Sequence, residues 1–201
     1  MIRVLIAEDQ AMVRGALASL LMLEGDIEVV AEVSRGDEVV AAARDAAPDV
    51  ALLDIEMPGG DGLSAAGDLA EALPDVRAVI LTTFGRPGYL RRAMESGAFG
   101  FVLKDAPATE LATAIRRVMD GERVLDPALA AAALAAGESP LTPREAEVLA
   151  AARGAAPVSE LADALRLSQG TVRNYLSSAM QKLGAHSRAE AVRVAEDKGW
   201  L

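Results

Sequence analysis

The stretch DVALLDIEMPGGDG, residues 49–62, decides the fold. An apolar run over residues 50–53 ends abruptly in the carboxylate of Asp54, and Met57-Pro58 then leads into Gly59-Gly60-Asp61-Gly62. A run that is apolar at every position, not every second one, marks a strand buried on both faces. Four more short apolar runs stand at residues 4–7, 29–33, 78–81 and 99–103. Between them apolar residues recur at helical spacing, as in Met12, Ala16, Leu20 and Leu23, or Leu111, Ala114, Ile115 and Val118. Doubly buried strands alternating with helices predict a doubly wound α/β domain with a five-stranded parallel sheet.

Ligands of such a sheet sit outside the carboxyl ends of its strands. Glu8 and Asp9 follow the first run, Asp54 ends the third, Thr82 the fourth and Lys104 the fifth. Each has an ordinary reading alone: an N-cap for Glu8-Asp9, a β-former for Thr82, a turn for Lys104-Asp105. Together on one rim they form a constellation that packing does not require. Three close carboxylates raise one another's pKa unless a cation sits among them. Mg²⁺ suits the place, because it takes one or two carboxylates and meets phosphate oxygens. A carboxylate beside Mg²⁺ can accept a phosphoryl group. Lys104 could then pair with the phosphoryl oxygens, and Thr82 could donate to them.

The 201 residues predict two domains. No apolar run approaches the ~18 residues of a membrane span, "MIRVLIAED" runs into acids unlike a signal peptide, and Cys is absent. These features predict a soluble cytoplasmic protein without membrane insertion and exclude thiolate metal sites. The net charge of −10 is unevenly spread. Residues 1–138 hold 12 Lys+Arg against 23 Asp+Glu, a net of −11, and residues 139–201 hold 8 against 7, a net of +1. No acid stands between Asp163 and Glu190, where Arg166, Arg173, Lys182, His186 and Arg188 fall. The pattern fits an acidic regulatory half joined to a polyanion-binding half.

A connector is expected over residues 122–138, with a helix starting at Asp126-Pro127 and running through the alanine-rich residues to 136, before "GESP" breaks the chain. Beyond it every segment reads as helix. Thr142, Pro143 and Glu145 form a capping box, Ser159 and Ser168 are candidate N-caps, and "SRAE" at 187–190 is a second capping box. The short "RLSQG" turn between the second and third helices matches a helix-turn-helix. Val172, Leu176, Ala179, Met180 and Leu183 carry the apolar face of the second helix of that motif. Arg173, Asn174 and Ser177 lie on the other face and are candidates for reading base edges. Thr171, Tyr175 and Lys182 are candidates for phosphate contact.

"IAEDQ", "LLDIEMPGGDG", "VILTTF" and "GFVLKD", followed by "LTPREAEVL" and "SQGTVRNYL", stand in an order and spacing that resemble the bacterial two-component response regulators of the NarL/FixJ class. The resemblance covers essentially the whole chain. It implies a flavodoxin-like receiver at 1–121, a partly helical linker at 122–138 and a LuxR-type helix-turn-helix domain at 139–201. It also implies that a sensor histidine kinase phosphorylates Asp54, with Mg²⁺ held by Asp9, Asp54, the Glu56 backbone carbonyl and, through water, Glu8. Thr82 and Phe101 match the family's switch positions, and Lys104 its lysine. The implied outcome is a homodimer on double-stranded promoter DNA. "DIEMPG", "LTTFGRPGY", "GTVRNY" and "KGW" are similar to the DesR-like subgroup, whose kinases sense membrane fluidity, which points to membrane-lipid genes. Gln10 is a candidate for positioning a hydrolytic water. Two rivals are an aspartyl-phosphate hydrolase, whose acceptor would instead follow the first strand, and a phosphorylation-independent DNA-binding regulator with a degenerate receiver, which the intact acid set opposes.

Overall fold

The computed structural model describes residues 1–83, 87–125, 127, 130–131, 135, 137, 139–154 and 156–201. The connector helix expected from Asp126 through residue 136 and the "GESP" break rest on residues that lie outside the described ones. The chain divides into two compact units, residues 1–85 with 90–130 and residues 86–89 with 131–201.

The elements up to residue 121 are β1 (Ile2–Ala7), α1 (Ala11–Leu21), β2 (Ile27–Val33), a 3-10 turn (Gly36–Glu38), α2 (Val39–Ala46), β3 (Val50–Asp54), α3 (Gly62–Ala72), β4 (Arg77–Thr82), α4 (Pro87–Glu95), β5 (Gly100–Leu103) and α5 (Ala108–Met119). The strands form one parallel sheet in the order β2-β1-β3-β4-β5. The chain winds outward in both directions from the β1/β3 boundary, where doubly wound sheets open a ligand crevice. β3 is buried at all five positions. Val4, Ile6, Val50, Leu52, Val79 and Leu81 join Leu111, Ile115 and Val118 of α5 in one apolar cluster. By the two-residue strand period, Leu5, Leu53 and Ile80 fall on the opposite face, where they too are fully buried.

The outer edge of β5 is closed by the chain itself. The Phe101 N–H donates to the Val124 carbonyl at 2.8 Å, and the Val124 N–H donates to Phe99 at 2.9 Å. One residue thus pairs with an edge that would otherwise offer a row of open backbone groups.

α1 differs from the sequence expectation. Met12, Ala16, Leu20 and Leu23 were the expected inner face, yet Met12 is 86% exposed, Leu23 81% and Leu20 44%, and Ala16 is exposed as well. The buried residues of α1 are Ala18 and Leu21, with Leu17 packed against the same cluster. Both rows have helical spacing, so α1 carries two apolar faces, and sheet packing takes only one of them.

The second unit contains α6 (Pro143–Ala151), a 3-10 turn (Ala152–Gly154), α7 (Val158–Leu165), α8 (Gln169–Leu183) and α9 (Arg188–Lys198). The Thr142 capping box and the Ser168 N-cap form as expected. Ser159 does not cap α7: the helix starts two residues earlier than that cap would place it, with Pro157 at the N-cap and Ser159 in the first turn. "SRAE" is half a capping box. Ser187 Oγ accepts from the Glu190 N–H at 3.2 Å, but the Glu190 carboxylate takes the N–H of His186, not that of Ser187. Val172, Leu176, Ala179, Leu149 and Leu161 form the core, with Met180, Leu183 and Trp200 packed against it. Ala191, Val192 and Ala195 of α9 belong to that core, so these positions are intradomain packing.

Candidate functional site

Sheet register levels the strand ends. Ala7 pairs with Leu53, Leu81 with Asp54 and Leu103 with Thr82. Glu8, Asp54, Thr82 and Lys104 therefore reach the same rim within two residues of each other. Glu8 is 0% exposed, Asp54 5% and Thr82 3%, while Asp9 and Gln10 stand at the surface. Carboxylate oxygens of Glu8, Asp9 and Asp54 all lie within 4.8 Å of one another. The Lys104 ammonium sits 2.6 Å from Glu8 Oε2 and 2.9 Å from Asp54 Oδ1. Burial opposes this ammonium, yet the Asp54 and Glu8 carboxylates beside it outweigh burial and raise the Lys104 pKa. Burial, aided by the Asp54 charge and offset in part by Lys104, pushes the Glu8 carboxyl up.

A cavity of about 100 Å³ opens at the rim, with Asp9, Gln10, Asp54, Glu56, Thr82 and Lys104 among its lining. The donor set is all oxygen, and Glu8 Oε2 is buried without a well-directed hydrogen bond. Such a set fits a hard divalent cation. The glycine turn is required by close approach: a Cβ on Gly62 would stand 1.9 Å from the Asp54 carbonyl oxygen, and one on Gly36 would stand 2.1 Å from that of Gly60. The Gly36 N–H also donates to the Pro58 carbonyl at 3.0 Å. The β2–α2 loop therefore braces the β3–α3 loop that carries Glu56. Phe101 does not reach this cavity; it is buried in β5 and lines a separate groove of about 480 Å³ beside Thr113, Arg117 and Val124.

Two supporting contacts escape sequence reading. Arg14 Nη1 donates to the Glu8 carbonyl at 2.5 Å. Asp61 caps α3 through the Ser64 N–H at 2.7 Å and also pairs with Arg92 of α4 at 3.0 Å. The Asp61 cap is a local motif, but the Arg14–Glu8 and Asp61–Arg92 pairings have none to announce them.

In the second unit Arg173, Asn174 and Ser177 are exposed along one side of α8, and Thr171 and Tyr175 are half-buried. Arg173 Nη2 donates to Gln169 Oε1 at 3.2 Å. Lys182 is exposed on the same helix, and its ammonium lies 2.6 Å from Glu145 Oε2. Glu145 is only 5% exposed and also accepts from Ser178 Oγ at 2.6 Å and the Thr142 N–H at 2.7 Å. Lys182, Ser178 and Thr142 together hold its carboxyl down at about 2. Glu145 is legible in sequence only as a capping residue, since its partners on α8 lie 33 and 37 positions away.

Among the described residues no helix is long and apolar enough to cross a membrane. Residues 4–116 match the response regulator receiver domain, and residues 139–195 match the luxR family of bacterial regulatory proteins. The chain is 46% identical over 201 residues to the transcriptional regulatory protein DesR of Bacillus subtilis, covering all of both chains. It is 42% identical over 202 residues to the response regulator RamR of Streptomyces coelicolor, covering 100% of this chain and 98% of the other. A solved complex of the two-component response regulator RcsB with DNA is similar at a TM-score of 0.68 and 25% identity, over 98% of each chain. With both family models matched in order and relatives similar end to end, the chain belongs to the LuxR-family DNA-binding response regulators of two-component systems.

Proposed function

We propose that Asp54 is the phosphoryl acceptor of a sensor histidine kinase and that the protein acts in the cytoplasm. The observation that carries this reading is the meeting of Glu8, Asp9 and Asp54 with the Lys104 ammonium at one rim. A carboxylate oxygen of Asp54 forms the new P–O bond while the P–N bond of a phosphohistidine breaks and its electron pair leaves with the imidazole. Glu8, Asp9, Asp54 and the Glu56 carbonyl would hold Mg²⁺, which when bound offsets the charge of the phosphoryl oxygens. Lys104, already between two carboxylates, pairs with a phosphoryl oxygen, and the Thr82 hydroxyl donates to another. Gln10, at the mouth of the same cavity, positions the water that later hydrolyses the acyl phosphate.

Phosphorylation biases two receiver states, with Thr82 and Phe101 as switch residues. The active state is a homodimer. The exposed α1 row of Met12, Ala16 and Leu20 supports this, because soluble monomers rarely leave such a row bare. Two helix-turn-helix units then engage double-stranded promoter DNA. Arg173, Asn174 and Ser177 read base edges, and Thr171 and Tyr175 flank them at phosphates. Lys182 supports α8 through Glu145. Proposed domain limits remain 1–121, 122–138 and 139–201.

Labelling with acetyl phosphate tests the acceptor. Wild type incorporates one phosphoryl group, and Asp54→Asn incorporates none. Persistent labelling of Asp54→Asn at another residue overturns the assignment. Sedimentation with and without beryllofluoride and Mg²⁺, with Asp54→Ala as control, tests the dimer.

A further inference from the structure

The acid-free segment from Arg166 to Arg188 holds the positive charge expected to meet DNA, and the structure divides its cations into two sets. Lys182 is held by Glu145 at 2.6 Å. Arg188 Nη1 donates to the Ala156 carbonyl at 2.7 Å, tying α9 to the segment before α7. Both charges are engaged inside the unit. Arg173 points outward from α8. The remaining arginine is Arg166, in the turn between the two helices of the motif.

Arg166 ends α7 in the left-handed conformation, φ 54 and ψ 44, with its N–H returning to the Ala162 and Asp163 carbonyls. That backbone is the natural place of glycine, and a side chain there is strained. One other described non-glycine residue has positive φ, Ala47, where Arg3 clamps the carbonyls of Ala46 and Ala47. At Arg166 no packing role compensates for the long side chain. The residue is exposed, and its guanidinium makes no hydrogen bond or ion pair among the described residues. A strained position carrying an unpaired cation, three residues before α8 begins, is an outlier of the kind found at functional sites.

We infer that Arg166 is a DNA-backbone contact, its guanidinium pairing with a phosphate beside the base pairs that α8 reads. Planar bidentate pairing suits guanidinium to phosphate. Phosphates are the same in every sequence, so this contact adds affinity without choosing a base. Lys182, by contrast, contributes nothing to phosphate neutralisation. The inference rests on the reading of α8 as the helix that enters the groove.

The test is the salt dependence of DNA binding by the full-length protein with beryllofluoride and Mg²⁺. The probes are a duplex recovered by in vitro selection with wild type and a scrambled duplex of equal length. Arg166→Gly removes the charge and relieves the left-handed strain, so its melting temperature stays level or rises. Its log–log salt slope becomes shallower by about 0.9 per domain, and binding weakens on both duplexes alike. Arg166→Lys keeps most of the slope. Lys182→Met leaves the slope unchanged. Overturning results are an Arg166→Gly slope equal to wild type, or a Lys182→Met slope that falls by the amount expected for a phosphate contact. Wild-type binding with no salt dependence on either duplex would instead overturn the assignment of α8.

Discussion

Lys104 bridges Glu8 and Asp54, its ammonium 2.6 Å from one carboxylate and 2.9 Å from the other. A single cation thus holds together two buried acids that would otherwise repel across the rim. Lys104→Met leaves those acids without it, and removing one partner of a buried pair costs about 3 kcal/mol. Thermal melts at pH 7 should show that loss. Added Mg²⁺ should restore much of it, since a cation bound only by the folded state contributes about 2.7 kcal/mol at a hundredfold excess over its Kd. Asp9→Ala should abolish the Mg²⁺ effect in both backgrounds.

Gly62 stands where a Cβ would meet the Asp54 carbonyl at 1.9 Å. Gly62→Ala must displace either the strand end or the start of α3, at a cost of about 1–3 kcal/mol for overpacking. Acetyl-phosphate labelling should slow more than tenfold in protein that is still folded by circular dichroism. Gly67→Ala is the control, because a Cβ there meets nothing within 4 Å, and it should label at the wild-type rate.

Glu145 gives the DNA-binding unit a defined acid sensitivity. Its folded carboxyl titrates at about 2, below its ordinary 4.5, because Lys182 and Ser178 hold the charged form. A depressed folded pKa contributes stability that is fully present above about 4.5 and is lost as pH falls toward 2. Glu145→Gln should destabilise the unit by about 2 kcal/mol at pH 7. The gap between variant and wild type should close as pH falls through that window. Denaturant unfolding followed by Trp200 fluorescence measures both effects.

Met12 and Leu20 should matter for assembly and not for folding. Both are exposed on α1, so Met12→Glu and Leu20→Glu should each change stability by less than about 0.5 kcal/mol. Both should weaken beryllofluoride-induced dimerisation at least tenfold by sedimentation. Unchanged association would move the dimer interface to another face of the receiver.

Much of this molecule is legible along the chain because its signals are local. Strands buried on both faces read as apolar runs, and crossover helices read as the period between them. Glu8, Asp9, Asp54, Thr82 and Lys104 could be placed on one rim because a parallel doubly wound sheet sends every strand end to the same side. The Thr142 and Ser168 caps were visible because a cap involves residues three apart. What escaped was decided at long range. The spacing of Met12, Ala16 and Leu20 is as helical as that of the buried row, and only the approach of the sheet and α5 determined which face lost its water. Lys182 looks like any surface cation until α6 brings Glu145 alongside it, and Arg166 looks like an ordinary helix end until the turn forces its φ positive. Sequence by itself determined the elements, their order and the residues of the rim. Tertiary structure alone decided which apolar face stayed bare and which cations were left to meet a partner, because those outcomes depend on residues far apart in the chain competing for the same neighbours.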